Sequence, residues 1–180
     1  MTRPTRRAVL GGMGAFAVLP RPLLAENFAP SAVSLARPVP GLPDAKPLQI
    51  EDGTGAPVSL ADHAGRIVVL NLWGPWCVPC RREMPSLARL AELLEGHAVD
   101  VMPLAFDWRG ASGVRRFYTE TGIDNLPVLI GEGENLKAVL DLENLPSTAI
   151  LDAEGRMRFV VAGEARWDDD KTVDWLRAML

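Results

Sequence analysis

Nearly continuous apolar runs alternate along the chain with segments in which apolar residues recur every three or four positions. Two of the runs, 67–73 and 99–106, have the length and the β-branched content of strands buried on both faces. Between them, one apolar stripe predicts a helix that ends at Gly96; its members are Met84, Leu87, Leu90, Ala91 and Leu94. Pro85 lies inside this helix and should kink it, because proline removes a backbone hydrogen bond.

Shorter elements complete the pattern. They are a hairpin built from 48–50 and 57–60, a helix over 112–121, a strand at 127–130 that pairs at an edge, a short helix over 135–140, a hairpin built from 147–151 and 157–161, and a helix over 168–180. Strands that alternate with helices and end in a hairpin and a helix predict a layered α/β domain with a mixed sheet.

The N-terminal residues 1–25 have the pattern of an export signal. Three arginines precede an uncharged run over 8–19, and Ala25 offers a small residue for cleavage. The run is shorter than the roughly 20 apolar residues that cross a bilayer, although a short uncleaved membrane anchor is an open alternative. Residues 5–10 also resemble the twin-arginine signal, with Val9 where an aromatic residue is usual, so the export route stays open. We therefore expect a periplasmic protein.

Beyond the signal, we interpret the proline- and alanine-rich residues 26–47 as a tether and 48–180 as one domain. A hydrophobic content of 48% and a charged content of 23% over 180 residues are typical of a chain with one ordinary core. The net charge is -4, and it becomes -8 once residues 1–25, with four arginines and no acid, are set aside. This acidic character and the lack of a basic run with interleaved aromatics argue against a nucleic-acid partner.

The two cysteines of the chain, Cys77 and Cys80, lie where the first buried strand gives way to the helix. At such a point, free backbone N–H groups and the positive end of the helix dipole favour a thiolate over a thiol. Cys77 is therefore predicted to attack a substrate disulfide, and Cys80, one turn later, to resolve the mixed disulfide. Trp76 offers a flat apolar surface for a polypeptide substrate, whereas Trp108 and Trp167 are expected to pack at the ends of elements.

Other roles for the cysteine pair fit less well. A structural zinc site needs four ligands, and neither His63 nor His97 has a partner at metal-ligand spacing. Covalent haem attachment needs a histidine directly after the second cysteine, where Arg81 stands. An inert disulfide over so short a loop would constrain the unfolded chain little, whereas Cu(I) binding by two thiolates stays open. The only redox group expected is a Cys77–Cys80 disulfide, with no further cofactor and no metal.

Residues 69–85, VLNLWGPWCVPCRREMP, resemble the active-site segment of the thioredoxin superfamily, in particular the TlpA/ResA/CcmG-like branch of exported thiol-disulfide oxidoreductases. The resemblance covers 48–180 and implies a thioredoxin-like three-layer fold: a sheet of four or five strands flanked by helices, with an added N-terminal β-hairpin. It also implies that Pro146 is a cis-proline facing the cysteines. A substrate peptide would then pair with the exposed backbone of Leu145.

The resemblance also assigns a role to an acid. Asn71 occupies the position at which thioredoxin has a buried acid that assists proton transfer, and asparagine cannot take up a proton. The ResA-like branch has an acid three residues after its second cysteine, where this chain has Glu83. Glu83 shares a helix face with Cys80 and is a candidate base for it. A solvated acid in the first helical turn is the alternative.

Together these features predict a periplasmic thiol-disulfide oxidoreductase, acting as a reductant of protein disulfides. The resemblance implies work in cytochrome c maturation or in copper-site assembly of cytochrome oxidase, with a membrane protein as electron donor; we expect a monomer. Two alternatives are a Cu(I)-binding metallochaperone and a thiol peroxidase. A peroxidase of the related type needs a hydroxyl three residues before its cysteine, and Gly74 offers none to Cys77.

Overall fold

The computed structural model describes residues 29–142 and 144–180, which form eight strands, five α-helices and one short 3-10 helix (Leu60–His63). The strands are β1 (Ala36–Pro38), β2 (Ile50–Asp52), β3 (Pro57–Val58), β4 (Ile67–Trp73), β5 (Val99–Ala105), β6 (Leu129–Gly131), β7 (Ser147–Leu151) and β8 (Met157–Ala162). The helices are α1 (Ala32–Leu35), α2 (Val78–Leu93), α3 (Ala111–Thr121), α4 (Gly133–Leu140) and α5 (Asp170–Arg177). The predicted export signal, 1–25, lies outside the described residues.

A single mixed sheet holds the eight strands in the order β1-β8-β7-β4-β5-β6-β2-β3. The central strand β4 runs parallel to β5 and antiparallel to β7, and all seven of its residues are buried. The predicted α/β fold with a mixed sheet is therefore confirmed. The added N-terminal hairpin that the resemblance implied is present as β2–β3 and extends the sheet beyond β6, and β1 adds a further strand beyond β8.

The strand predicted to pair at an edge is internal. It forms as β6, pairs in parallel with β5 and receives β2 on its other side in antiparallel register. The edge position belongs to β3 instead. The prediction was wrong because a three-residue strand carries no local signal of whether a distant hairpin satisfies its second row of backbone groups.

The segment 26–47, interpreted as a tether, packs against the domain from residue 31 onwards. β1 pairs with β8, Ala32 is fully buried, and its N–H donates to the carbonyl of Arg166 at 2.9 Å. Its proline and alanine content suggested a spacer, but small side chains also permit close packing, and the strand covers an edge that would otherwise be open. The folded domain therefore starts before residue 48.

Two apolar clusters fill the two faces of the sheet, and β4 contributes alternately to each. Val69 and Trp73 belong to the cluster under α2 and α3, and Leu70 and Leu72 to the cluster under α4. The ring of Trp73 stacks on Tyr118 with the ring centres 5.9 Å apart. This packing fixes the end of β4, from which the chain passes directly into the cysteine pair.

Asp169 joins the N-terminal segment to the last helix. As the N-cap of α5 it accepts hydrogen bonds from the backbone N–H and the hydroxyl of Thr172, and its Oδ1 also accepts one from Ser31 at 2.8 Å. Burial acts to raise the pKa of Asp169, but these hydrogen bonds outweigh it and hold the pKa below its ordinary value.

We expect Asp169→Ala to lower the free energy of unfolding by about 1–2 kcal/mol, because the cap and the contact with Ser31 are lost together. Urea denaturation at pH 7 measures the change. Asp169→Asn keeps an acceptor oxygen and should recover part of the loss. The control is Asp174→Ala, which removes an exposed carboxylate from the same helix. Equal losses in Asp169→Ala and Asp174→Ala would contradict the prediction.

Candidate active site

A disulfide joins Cys77 and Cys80 at the junction of β4 and α2, with the two Cα atoms 5.3 Å apart. Cys77 is the N-cap of α2, and its Sγ accepts a hydrogen bond from the N–H of Cys80 at 3.4 Å. Cys77 keeps 7% of its surface exposed, whereas Cys80 is completely buried. An incoming sulfur atom can therefore reach the disulfide only from the side of Cys77.

Cys77 opens into a surface groove of about 700 Å³. Leu145 lines the same groove, and the Leu145–Pro146 peptide bond is cis, as the resemblance implied. Trp76 forms another part of the lining; it is 60% exposed, and its Nε1 donates to the carbonyl of Phe106 at 2.9 Å. The groove thus brings Cys77 together with Trp76 and Leu145, and it has room for an extended peptide, whereas Pro146, the third predicted substrate-binding residue, is buried and does not line it.

Glu83 lies one turn after Cys80 on α2 and is buried, with 3% of its surface exposed. Its Oε1 accepts a hydrogen bond from Nδ2 of Asn71 at 2.8 Å, and its Oε2 accepts one from the N–H of Ala165 at 3.1 Å. Nε1 of Trp167 lies 3.5 Å from the same Oε2. The interpretation of Glu83 as a solvated acid is therefore wrong. The helix supplies a buried carboxyl group beside Asn71, the strand position at which thioredoxin has its acid.

Burial raises the pKa of Glu83 to about 7, because the carboxylate loses its hydration. The hydrogen bonds from Ala165, Asn71 and Trp167 act in the opposite direction, and the nearby carboxylate of Glu164 adds to the rise. A carboxyl group with a pKa near neutrality can take up and release a proton at the working pH, as a general base must. Glu83 reaches solvent through a cleft that is also lined by Glu164 and its ion-pair partner Arg82.

The residues that form this site lie within a stretch of sequence that matches the model of a known protein family. The model of the AhpC/TSA family matches residues 42–160, a range that includes the disulfide, Glu83 and the cis-proline. The chain belongs to the AhpC/TSA family.

Curated relatives of this AhpC/TSA-family protein are thiol-disulfide oxidoreductases. The thiol-disulfide oxidoreductase ResA of Bacillus subtilis is 30% identical over 120 residues, which cover 67% of this chain and 66% of that protein. ResA of Bacillus anthracis is 30% identical over 115 residues, covering 64% of this chain and 65% of the relative. The chain thus spans just under two thirds of the length of these relatives.

Solved structures of the same type align over more of the chain. A DsbF homologue from Corynebacterium diphtheriae is 28% identical with a TM-score of 0.61, covering 78% of this chain and 91% of the other. A secreted disulfide oxidoreductase of Mycobacterium tuberculosis, homologous to DsbE of Escherichia coli, is 25% identical with a TM-score of 0.59, covering 73% of this chain and 96% of the other. The predicted resemblance to exported thioredoxin-like oxidoreductases is confirmed.

Three residues that contact the polar groups of this AhpC/TSA-family site were not predicted from the sequence. Thr148 accepts a hydrogen bond from Nδ2 of Asn71 at 2.9 Å, and Ala165 and Trp167 meet the Glu83 carboxyl from the loop after β8. Trp167 was expected only to pack at the end of an element. None of the three carries a motif, because each contributes through a contact made more than 75 residues away along the chain.

No group of three or more His, Cys, Asp or Glu side chains among residues 29–142 and 144–180 is arranged to hold a metal ion. Within the same ranges, no helix combines the length and the apolar content needed to cross a membrane.

Proposed function

We propose that this protein is an extracytoplasmic thiol-disulfide oxidoreductase that exchanges disulfides with other proteins through Cys77 and Cys80. The observation that carries the proposal is the disulfide at the N-terminus of α2, open to solvent only at Cys77 and facing a groove lined by Leu145, the residue before the cis Leu145–Pro146 bond. The ResA and DsbE-like relatives, whose activity is thiol-disulfide exchange, support it.

The proposed reaction moves two electrons from the reduced protein to its substrate. The thiolate of Cys77 attacks one sulfur of the substrate disulfide, so that a Cys77–substrate bond forms, the substrate S–S bond breaks, and the first substrate thiolate leaves and takes a proton. Cys80 then gives up its proton and attacks Sγ of Cys77, which releases the second substrate thiolate and restores the Cys77–Cys80 disulfide. Glu83 is the proposed acceptor of the Cys80 proton, because it lies one helical turn away on the same face.

The direction and the cellular setting are proposed on chemical grounds. Outside the cytoplasm thiols tend to oxidise, so a reductant there needs a membrane protein that supplies electrons. The export pattern of 1–25 and the secreted relative from Mycobacterium tuberculosis support this compartment. Cytochrome c maturation and copper-site assembly of cytochrome oxidase both require a specific protein disulfide to be reduced, and we propose that the protein acts in one of these two processes. We also propose that it acts as a monomer.

Trapping of the mixed disulfide tests the proposal. Cys80→Ser, produced with its export signal, should accumulate covalent adducts with periplasmic proteins after thiols are blocked with an alkylating agent, because the resolving sulfur is gone. Non-reducing gels and mass spectrometry identify the adducts, and a reductant should cleave them. The double variant Cys77→Ser/Cys80→Ser is the control. A Cys80→Ser protein that forms no more adducts than the double variant would contradict the exchange mechanism.

The metallochaperone alternative has its own readout. If the reduced protein binds Cu(I) with one-to-one stoichiometry in competition with a strong Cu(I) chelator, and reduces no protein disulfide, the pair serves metal transfer instead. We expect catalytic disulfide reduction.

A further inference from the structure

Three strongly exposed apolar side chains lie around the disulfide. In the described part of the chain, five large apolar side chains are strongly exposed, and three of these are Trp76, Val78 and Trp108, at 60%, 62% and 82%. Trp76 and Val78 flank Cys77 directly in sequence, and Trp108 follows β5. We expected Trp108 to pack at the end of an element, and the structure shows the reverse. Single exposed apolar residues are ordinary, but a cluster of them marks a contact surface.

Trp76 and Trp108 line one depression of about 190 Å³, which is separate from the groove that contains Leu145. Trp76 lines both the depression and the groove, so it forms their common wall. A polypeptide whose disulfide reaches Cys77 in the groove can therefore continue across the Trp76 ring into the depression. This placement separates the depression from the surface around the cis-proline.

The depression is cationic on an otherwise acidic protein. Its lining contains three arginines, Arg81, Arg109 and Arg116, against two acids, Asp107 and Glu120. Arg81 is committed within the protein, since its guanidinium donates to the carbonyl of Pro75 and lies 4.9 Å from the centre of the Phe117 ring.

Arg109 is held differently, over the Trp108 ring with 4.6 Å to its centre. This stacking leaves the edge of the guanidinium, which carries its N–H donors, available for a carboxylate. A flat aromatic surface and a fixed guanidinium thus lie side by side in the depression. That combination fits an acidic chain that also carries an apolar side chain.

We propose that this depression is a second docking subsite for the polypeptide that exchanges disulfides with Cys77, and that it takes an acidic segment with one apolar side chain. The inference rests on the proposed function and adds the charge class of the partner. The net charge of -8 that remains without residues 1–25 would by itself attract basic partners. A preference for acidic partners can therefore come only from local contacts such as these.

The test uses two synthetic peptides of equal length, each a homodimer linked by a single disulfide. In one, Cys and a neighbouring Leu are flanked by glutamates, and in the other by lysines. Stopped-flow fluorescence gives the second-order rate constant for oxidation of the reduced protein by each peptide. At low salt we expect the glutamate peptide to react about tenfold faster, and the difference should shrink at 1 M salt, where charges are screened within about 3 Å.

Charge-reversal variants test whether the preference for the glutamate peptide arises in the depression. Arg109→Glu and Arg116→Glu should each remove or invert this preference. The control Arg158→Glu should keep it, because it changes the net charge equally but lies on β8 near the end of the sheet far from the disulfide. Trp108→Ala should slow the glutamate peptide about fivefold by removing an aromatic contact surface. This side chain is 82% exposed, so its loss should leave the fold intact, which circular dichroism checks.

An uncharged small disulfide, hydroxyethyl disulfide, separates the two possible failures. It reacts at Cys77 without reaching the depression, so the wild type and the Trp108, Arg109 and Arg116 variants should reduce it at equal rates. If the wild type does not reduce it, the proposed function fails. If it is reduced but the two peptides react equally, or if Arg158→Glu abolishes the preference as completely as Arg109→Glu, the docking subsite is overturned and the exchange function stands.

Discussion

Replacing Cys77 by serine should abolish disulfide exchange, with the second-order rate constant for hydroxyethyl disulfide falling at least about a thousandfold. A serine hydroxyl does not ionise at neutral pH, and the remaining sulfur, that of Cys80, is completely buried. In the wild type, by contrast, the sulfur of Cys77 lies at the helix N-terminus, where the N–H of Cys80 points at it. Stopped-flow mixing of the reduced protein with the disulfide measures the loss.

The companion variant Cys80→Ser should behave differently, although it also removes one sulfur. Its Cys77 should still react with the disulfide at a rate near that of the wild type, but only once, because the mixed disulfide cannot be resolved. Mass spectrometry should show one hydroxyethylthio group per chain. Should Cys77→Ser keep the first step and Cys80→Ser lose it, the two cysteines would have exchanged roles, and the orientation of the site proposed from burial would be wrong.

The position of the disulfide could be predicted from sequence because its determinants are local. The apolar run of β4, the spacing of apolar residues in α2 and the two cysteines between them all lie within 67–94. The cis state of Leu145–Pro146 was a different matter. Only about one X-Pro bond in twenty is cis in folded proteins, so that expectation depended on the family resemblance and not on the residues themselves.

The features that sequence analysis missed depend on distant partners. Whether β6 is an edge strand depends on its pairing with β2, about 80 residues earlier in the chain. Likewise, β1 forms a strand because it pairs with the otherwise open edge of β8. Trp108 shows the limit most clearly. Trp108 and Trp167 have the same sequence context, because each is a large aromatic residue that follows a strand. Trp167 is nevertheless completely buried, whereas Trp108 is 82% exposed. An apolar pattern indicates that a side chain can be buried, but the tertiary structure decides whether it is.

Glu83→Gln should stabilise the oxidised protein above pH 7, by up to about 3 kcal/mol for a pKa that burial raises from 4.5 to about 7. Between these two pH values the folded protein holds a proton that the unfolded chain has released. The free energy of unfolding of the wild type therefore falls as the pH rises through this window, and it stays low above pH 7. Glutamine carries no charge and should remove this dependence.

The polar environment of Glu83 can accommodate the change. The Nε2 group of glutamine needs an acceptor where Glu83 now accepts a hydrogen bond from Asn71. Oδ1 of Asn71 is buried and has no hydrogen-bond partner among the described residues, so rotation of this amide would present that oxygen. The same rotation would serve a protonated Glu83. Urea unfolding between pH 4.5 and 8.5 measures the effect, with Glu95→Gln, an exposed residue just beyond α2, as the control.

Kinetic measurements on the reduced protein test whether the Glu83 carboxyl group also acts as the base for Cys80. If Glu83 accepts the proton of Cys80, Glu83→Gln should slow the resolution step at pH 7 by about a hundredfold, and the inflection near pH 7 in the pH profile of that step should disappear. The rate of attack by Cys77 on hydroxyethyl disulfide should change much less. A variant that gains stability but keeps the wild-type pH profile would show that the buried charge only destabilises the fold, and the base for Cys80 would then have to be solvent.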